Sequence, residues 1–219
     1  MGALSDIKVL DLTRVLAGPY ATMVLADLGA EIIKIEQPEK GDDSRAYGPY
    51  KNGESAYFMS LNRNKESITL NLKAPEGKEI FKALVKQVDV LVENYRPGTM
   101  EKLGLGYDVL KELNPRLIYA SSTGYGQTGP YSQRPAYDAV VQAMGGIMSI
   151  TGQADGKPTR VGSSIGDITA GLFCAIGILT ALHERERSGL GQMVDVAMLD
   201  CQVAILENAI SRYEFTGEI

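Results

Sequence analysis

Asp167 is the only charge in the stretch Gly162–Ala181, GSSIGDITAGLFCAIGILTA. A Gly/Ser loop precedes it, and a run rich in Leu, Ile, Ala and Phe follows. A carboxylate at such a boundary does one of two things. As a helix N-cap it accepts backbone N–H groups of the first turn, which is worth about 1 kcal/mol. As a reactive group it uses the same N–H groups to hold an anion, while apolar neighbours strip it of water. Gly162, Ser163, Ser164, Gly166, Ala170 and Gly171 have little bulk and leave room for a ligand beside it. Both readings stand on these residues alone.

The other candidates are weaker. Gly124-Tyr-Gly126-Gln-Thr-Gly129 matches G-x-G-x-x-G after a strand pattern, but Pro130 and Pro135 follow where a dinucleotide site needs a helix N-terminus. The glycines then serve a tight loop or a close backbone approach. His183, the single histidine, lies in the polar run Leu182-His-Glu-Arg-Glu-Arg187 and reads as a solvated helix residue. Cys174 and Cys201 lie in apolar helical patterns and read as buried free thiols, which suits a reducing cytosol. No His or Cys spacing suggests a metal site. Lys73, Arg96, Lys102, Arg116 and Arg134 are scattered near expected loop ends, where a subset could meet a phosphorylated ligand.

The bulk properties fit a globular chain. It has 219 residues, 44% hydrophobic and 22% charged, enough for one large domain or two small ones. A net charge of -5 argues against nucleic acid as a partner. The opening MGALSDIKVLDL is too polar for a secretory signal, and the apolar run Ile168–Leu182 is short for a membrane span. A cytoplasmic protein without membrane contact is the expectation.

These residues need a scaffold. Ile7–Leu12 and Val88–Glu93 read as buried strands and Glu31–Ile35 and Arg116–Ser122 as strands, with Tyr57–Asn62 and Ser67–Leu72 as further strands around a turn. Helices are expected at Tyr20–Leu28, Pro75–Gln87, Thr99–Leu103, Tyr107–Leu113, Asp138–Gly145, Ile168–Arg187 and Val194–Phe215. Strands alternate with helices, so the class is α/β with a mostly parallel sheet flanked by helices. Ligands in such sheets bind at the carboxyl ends of the strands. Those ends are Thr13–Gly18, Glu36 onward, Asn94–Gly98 and Thr123–Gly129.

Several stretches resemble the class III coenzyme A transferases, a family that includes formyl-CoA transferases, carnitine CoA-transferases and α-methylacyl-CoA racemases. They are IKVLDLTRVLAGPYATMVLADLGAEIIKIEQPEKGD, SLNRNKESITLNLKAPEGKE, DVLVENYRPGTMEKLGLGYDVLKELNPRLIYASSTGYGQTGP and GDITAGLFCAIGILTALHERERSGLGQMVDVAMLD. The resemblance implies a Rossmann-like CoA-binding domain over residues 1–190 and, over 191–219, a long linker helix leading away toward a smaller domain. It also implies an interlocked homodimer in the full-length form. The substrates it implies are acyl-CoA and a small carboxylic acid, with no prosthetic group.

The family's catalytic aspartate stands in a G-D-x-x-x-G context, and Gly166-Asp167-Ile-Thr-Ala-Gly171 matches it, so the resemblance implies that Asp167 is the nucleophile. It implies CoA contacts at Val15, Leu16, Ala17, Leu70, Lys73, Asn94, Tyr95, Lys102, Tyr137 and Asp138. Leu16 replaces a glutamine of formyl-CoA transferases, which speaks against oxalate as acceptor, and Gln37 replaces an arginine. Racemases carry a G-H-D segment where this chain has Ala136-Tyr137-Asp138, so their histidine base is absent. The implied activity is acyl-CoA:carboxylate CoA transfer through an aspartyl anhydride and an aspartyl-CoA thioester. A racemase-like enzyme and a non-catalytic CoA-binding or dimerising fragment are the alternatives.

Overall fold

A computed structural model describes residues 2–218, leaving Met1 and Ile219 outside the described residues. In chain order the first elements are β1 (Lys8–Asp11), α1 (Ala17–Asp27), β2 (Glu31–Glu36), β3 (Tyr50–Lys51), β4 (Glu54–Ser55), α2 (Ala56–Leu61), β5 (Lys65–Thr69), α3 (Pro75–Val85) and β6 (Val90–Glu93). Then come α4 (Thr99–Leu103), α5 (Tyr107–Leu113), β7 (Ile118–Thr123), α6 (Asp138–Met144), α7 (Ile165–Ser188), β8 (Met193–Ala197), α8 (Met198–Ala204) and α9 (Ala209–Thr216).

Among the described residues, six strands form one parallel sheet in the order β5-β2-β1-β6-β7-β8. Alternate side chains leave opposite faces of a strand, and both faces are covered here. Val9, Ile32, Val90, Val92, Ile118 and Ala120 pack with α1, α7 and α8 on one side. Leu10, Leu12, Leu91, Leu117 and Tyr119 pack with Phe81 and Val85 of α3 and with Met100 and Leu110 on the other. The strand order runs outward in both directions from the β1–β6 pair, so α1 goes to one face and α4 to the other. The loops leaving β1 and β6 therefore diverge and open a crevice at the carboxyl ends of the strands, where such sheets bind ligands.

α7 is long and apolar enough to cross a membrane by length and composition alone, longer than the run Ile168–Leu182 suggested. Half of its most apolar window is buried, and Ala170, Cys174, Ile178 and Leu182 are part of the core with α1. The two helices approach closely because Gly171 faces α1: a Cβ there would lie 2.7 Å from the Ala17 carbonyl oxygen.

Three expectations change. Tyr57–Asn62 is helical, not a strand, because the Ser55 hydroxyl accepts the Phe58 N–H at 3.1 Å and caps α2. The following strand begins earlier, at Lys65, because it pairs in register with Ile32–Glu36 and carries Lys65 inward to Asp11. Most consequential, Val194–Phe215 is not one helix. Met193–Ala197 alternates β-branched residues and pairs with Tyr119–Thr123 as an edge strand, and the helical remainder is broken between α8 and α9. Residues 193–197 thus belong to the six-stranded sheet, and where a linker helix was expected the described residues form a strand and two short helices. Of the apolar residues in that stretch, Val196 is buried, while Val203 and Ile210 are exposed.

Candidate active site

Asp167 is not the cap of its helix. α7 begins at Ile165, three residues before the expected start, which places Asp167 in the first turn. The cap comes from another helix: Asp138, the first residue of α6, accepts the Gly166 backbone N–H through Oδ1 at 2.9 Å. Its Oδ2 accepts from Gln142 at 2.8 Å, and Arg160 stands 3.5 Å away. Gly166 permits this approach, since a Cβ there would lie 2.7 Å from Val141 Cγ2 and 3.1 Å from Asp138 Oδ1. The two glycines of G-D-x-x-x-G therefore press the start of α7 against α6 on one side and against the first turn of α1 on the other.

Asp167 is half-buried and lines a cleft of about 250 Å³. Burial, and then the charge of Asp138, push its carboxyl up to about 7, while the Ala17 backbone N–H directed at it favours the anion. A carboxylate raised into the neutral range is more basic than an ordinary one yet still ionised in part at pH 7. Tyr57 of α2 feels it in turn: burial, with the Asp167 charge second, pushes the phenol up to about 12.

The sequence-derived positions fall into two adjoining clefts. Val15, Leu16, Ala17, Asn94, Tyr95, Tyr137 and Asp138 line the first, together with Asp167. Leu70 and Lys73 line the second, of about 560 Å³, as does Gln37. Arg14 and Tyr95 border both clefts, with the guanidinium 5.1 Å from the ring centroid. Lys102 is exposed and lines neither, although Thr99 and Leu103 of the same short helix border the second. Arg96 and Arg134 line the first cleft. Arg116 is elsewhere, just before β7 and beside Glu186 and Gly189 at the opposite end of the sheet. Tyr137, the counterpart of the racemase histidine, is 74% exposed, and His183 is an exposed residue in the second half of α7. No helix starts at the Gly124–Gly129 loop; the next is α6 at Asp138.

The loop between β1 and α1 forms the wall facing Asp167, and a network that the residue pattern did not reveal holds it. Lys34 of β2 donates to the Thr13 carbonyl at 2.7 Å and lies 3.0 Å from Asp42, with both side chains at most 1% exposed. Asp11 accepts from Thr13, Thr22 and Lys65. Burial alone would raise the Asp11 carboxyl, but Lys65, Lys34 and these bonds bring it down to about 2. Lys34 is the one cation in EIIKI, and the parallel pairing of β2 with β1 and β5 encloses it.

The chain belongs to the CoA-transferase family III, whose model matches residues 4–219. It is 52% identical to an acetyl-CoA:oxalate CoA-transferase of Acetobacter aceti over 99% of this chain and 56% of that protein. It is 50% identical to a mouse succinyl-CoA:glutarate CoA-transferase over 97% of this chain and 49% of that one. The fold is that of a CAIB/BAIF family protein from Brucella suis, with a TM-score of 0.95 and 44% identity over 99% of this chain and 58% of the other. The chain spans about half the length of the curated relatives it matches.

Proposed function

We propose that this chain supplies the nucleophile-bearing domain of an acyl-CoA:carboxylate CoA-transferase, with Asp167 as the nucleophile. The observation that carries the reading is the placement of Asp167: on the cleft at the β1–β6 switch, with a carboxyl raised to about 7 and a backbone donor aimed at it. Its carboxylate oxygen attacks the donor thioester carbon, the C–S bond breaks, and CoA leaves as the thiolate. The thiolate then attacks the aspartyl carbon of the mixed anhydride, forming aspartyl-CoA thioester and releasing the donor acid. The acceptor carboxylate attacks that thioester and expels the thiolate, which captures the acceptor acyl group and frees Asp167. No water enters and no electrons are exchanged, so the thioester energy is kept. The Ala17 N–H is the donor available to the developing oxyanion.

In this reading the pantetheine arm lies in the first cleft, and the nucleotide end reaches the second, toward Lys73. Relatives are named for oxalate, glutarate, mesaconate and citramalate. We take the acceptor to be a small dicarboxylate whose second carboxylate meets Arg14, Arg96 or Arg134 at the cleft mouth. Leu16 does not exclude oxalate on this basis, because a 52% identical relative is named for it. Exposed apolar residues on α7 and α9, among them Phe173, Ile176 and Phe215, support a covering surface from a second copy or from further chain. The test is exchange by the complete protein and its Asp167→Ala variant. Loss of exchange with CoA binding intact is expected; normal turnover by the variant overturns the reading. CoA binding without exchange by the unsubstituted protein would favour a non-catalytic CoA-binding role instead.

A further inference from the structure

The loop from Thr13 to Ala17 holds a conformation that its own sequence disfavours. Val15 has a φ of 69°, in the left-handed region, where a β-branched residue is a clear outlier. Such strain persists only where the surroundings over-determine it. Here they do. Asp42 Oδ1 accepts the Val15 N–H at 3.1 Å. Asn94, on the other side of the sheet's switch point, accepts the Arg14 N–H at 2.9 Å and donates to the Arg14 carbonyl at 2.8 Å. Lys34 donates to the Thr13 carbonyl at 2.7 Å and anchors Asp42 from 3.0 Å. The Lys34 and Asp42 side chains are 1% and 0% exposed, so neither offers surface to a reacting atom. Two residues past Val15, Ala17 lines the first cleft with Asp167 and packs against Gly171 of the same helix as Asp167, and its N–H is the backbone group that favours the Asp167 anion. If Val15 relaxed to the ordinary region, the following peptides would rotate and carry that donor away.

We propose that Asp42, locked by Lys34, is a positioning residue: it holds Val15 in the left-handed region and thereby aims the Ala17 N–H at Asp167. This rests on the reading of Asp167 as the nucleophile. Lys34 and Asp42 also stand in the wall of the second cleft, but their side chains are at most 1% exposed and Lys73 is untouched, so loss of the Asp42 acceptor falls on the chemical step more than on acyl-CoA binding.

The experiment compares two double variants of the complete protein, Lys34→Met/Asp42→Asn and Lys34→Met/Asp42→Ala. Both remove the buried charges together, so no lone ion is left behind. Only the asparagine keeps an acceptor for the Val15 N–H. The alanine pair should lose about tenfold or more in kcat relative to the asparagine pair, with KM for acyl-CoA nearly unchanged. Its acidic limb of kcat/KM should move up by about half a pH unit, because the Asp167 anion has lost a donor. The other groups that face Asp167, Asp138 from α6 and Tyr57 from α2, and the cleft arginines Arg14, Arg96 and Arg134, are the same in both. Adding Val15→Gly to the alanine pair should recover activity, since glycine adopts positive φ without strain; a merely structural loss would not be rescued this way.

Equal kcat and equal limbs in two folded double variants overturn the proposal. If the alanine pair does not fold, Asn94→Ala, which frees Arg14 from the other side, must give the same limb shift, whatever its effect on KM as a residue of the first cleft; an unmoved limb overturns the proposal. Exchange by Asp167→Ala, and borohydride trapping of the aspartyl-CoA thioester in the unsubstituted protein, are read in parallel. If those behave as expected while the double variants do not differ, the positioning claim alone fails. If Asp167→Ala exchanges normally, the nucleophile reading fails first.

Discussion

Asp138 on α6 caps α7 by accepting the Gly166 backbone N–H at 2.9 Å, and the same carboxylate raises Asp167 one residue further on. One side chain thus does two jobs, and two substitutions separate them. Asp138→Asn keeps an acceptor and removes the charge, so the acidic limb of kcat/KM should move to lower pH with the melting temperature little changed. Asp138→Ala loses the cap as well and should cost about 1 kcal/mol in urea unfolding. An Asn variant with an unmoved limb would show that the Asp138 charge does not govern Asp167.

The glycines of the motif are required by distance. An alanine at 171 would put its Cβ 2.7 Å from the Ala17 carbonyl oxygen, which is backbone and cannot swing aside. Helix propensity favours alanine over glycine by about 1 kcal/mol, but overpacking typically costs about 1–3 kcal/mol. Gly171→Ala should therefore be destabilising on balance and should depress kcat by displacing the β1–α1 loop. A more stable, fully active Gly171→Ala would contradict the close contact.

Asp167 should cost the fold stability at working pH. Its folded value of about 7 lies above that of an unfolded aspartate. The folded chain therefore holds the proton more tightly, and the stability this contributes is full below pH ~4 and lost as pH rises through 7. Asp167→Asn removes that loss. The variant should be more stable than the parent at pH 8 by on the order of 1–3 kcal/mol, and the gap should close toward pH 4. Asp11 and Glu36, held down to about 2, weaken both proteins alike as pH falls below the ordinary carboxylate range. Urea unfolding at the two pH values is the measurement, and a gap that does not change with pH would contradict the raised carboxyl.

Lys73 and Lys102 should part company. Lys73 lines the second cleft and Lys102 lines neither. Lys73→Ala should raise KM for acyl-CoA about tenfold with kcat kept, as expected for one lost bond to a charged group. Lys102→Ala should change KM much less. The reverse order would move the nucleotide end off the second cleft.

The sheet was legible wherever burial on both faces leaves an unbroken apolar run, as in VLVE and LIYASS. Edge strands were less so: the residue pattern starts one two residues late, at Ser67, and takes the other into a helix. Lys65–Thr69 and Met193–Ala197 have one flank open to solvent and mix charge with β-branched residues, so their periodicity says less than their pairing partners do. Asp167 was visible as an isolated carboxylate, and the family resemblance implied its role. Its partners were not visible. Asp138 lies 29 positions upstream, and the Lys34–Asp42 pair becomes a buried pair only when β2 is laid beside β1. Long-range pairing of this kind leaves no local pattern for a sequence reading to find.

The central claim is a covalent bond to Asp167, and its most direct test is to trap that bond. The complete protein is incubated with acyl-CoA, reduced with borohydride, digested and read by mass spectrometry. The account predicts that Asp167 is converted to the reduced alcohol, in an acyl-CoA-dependent manner, with the remaining aspartates untouched. Exchange proceeding at full rate with no modification of Asp167, or with the label on another carboxylate, would contradict it.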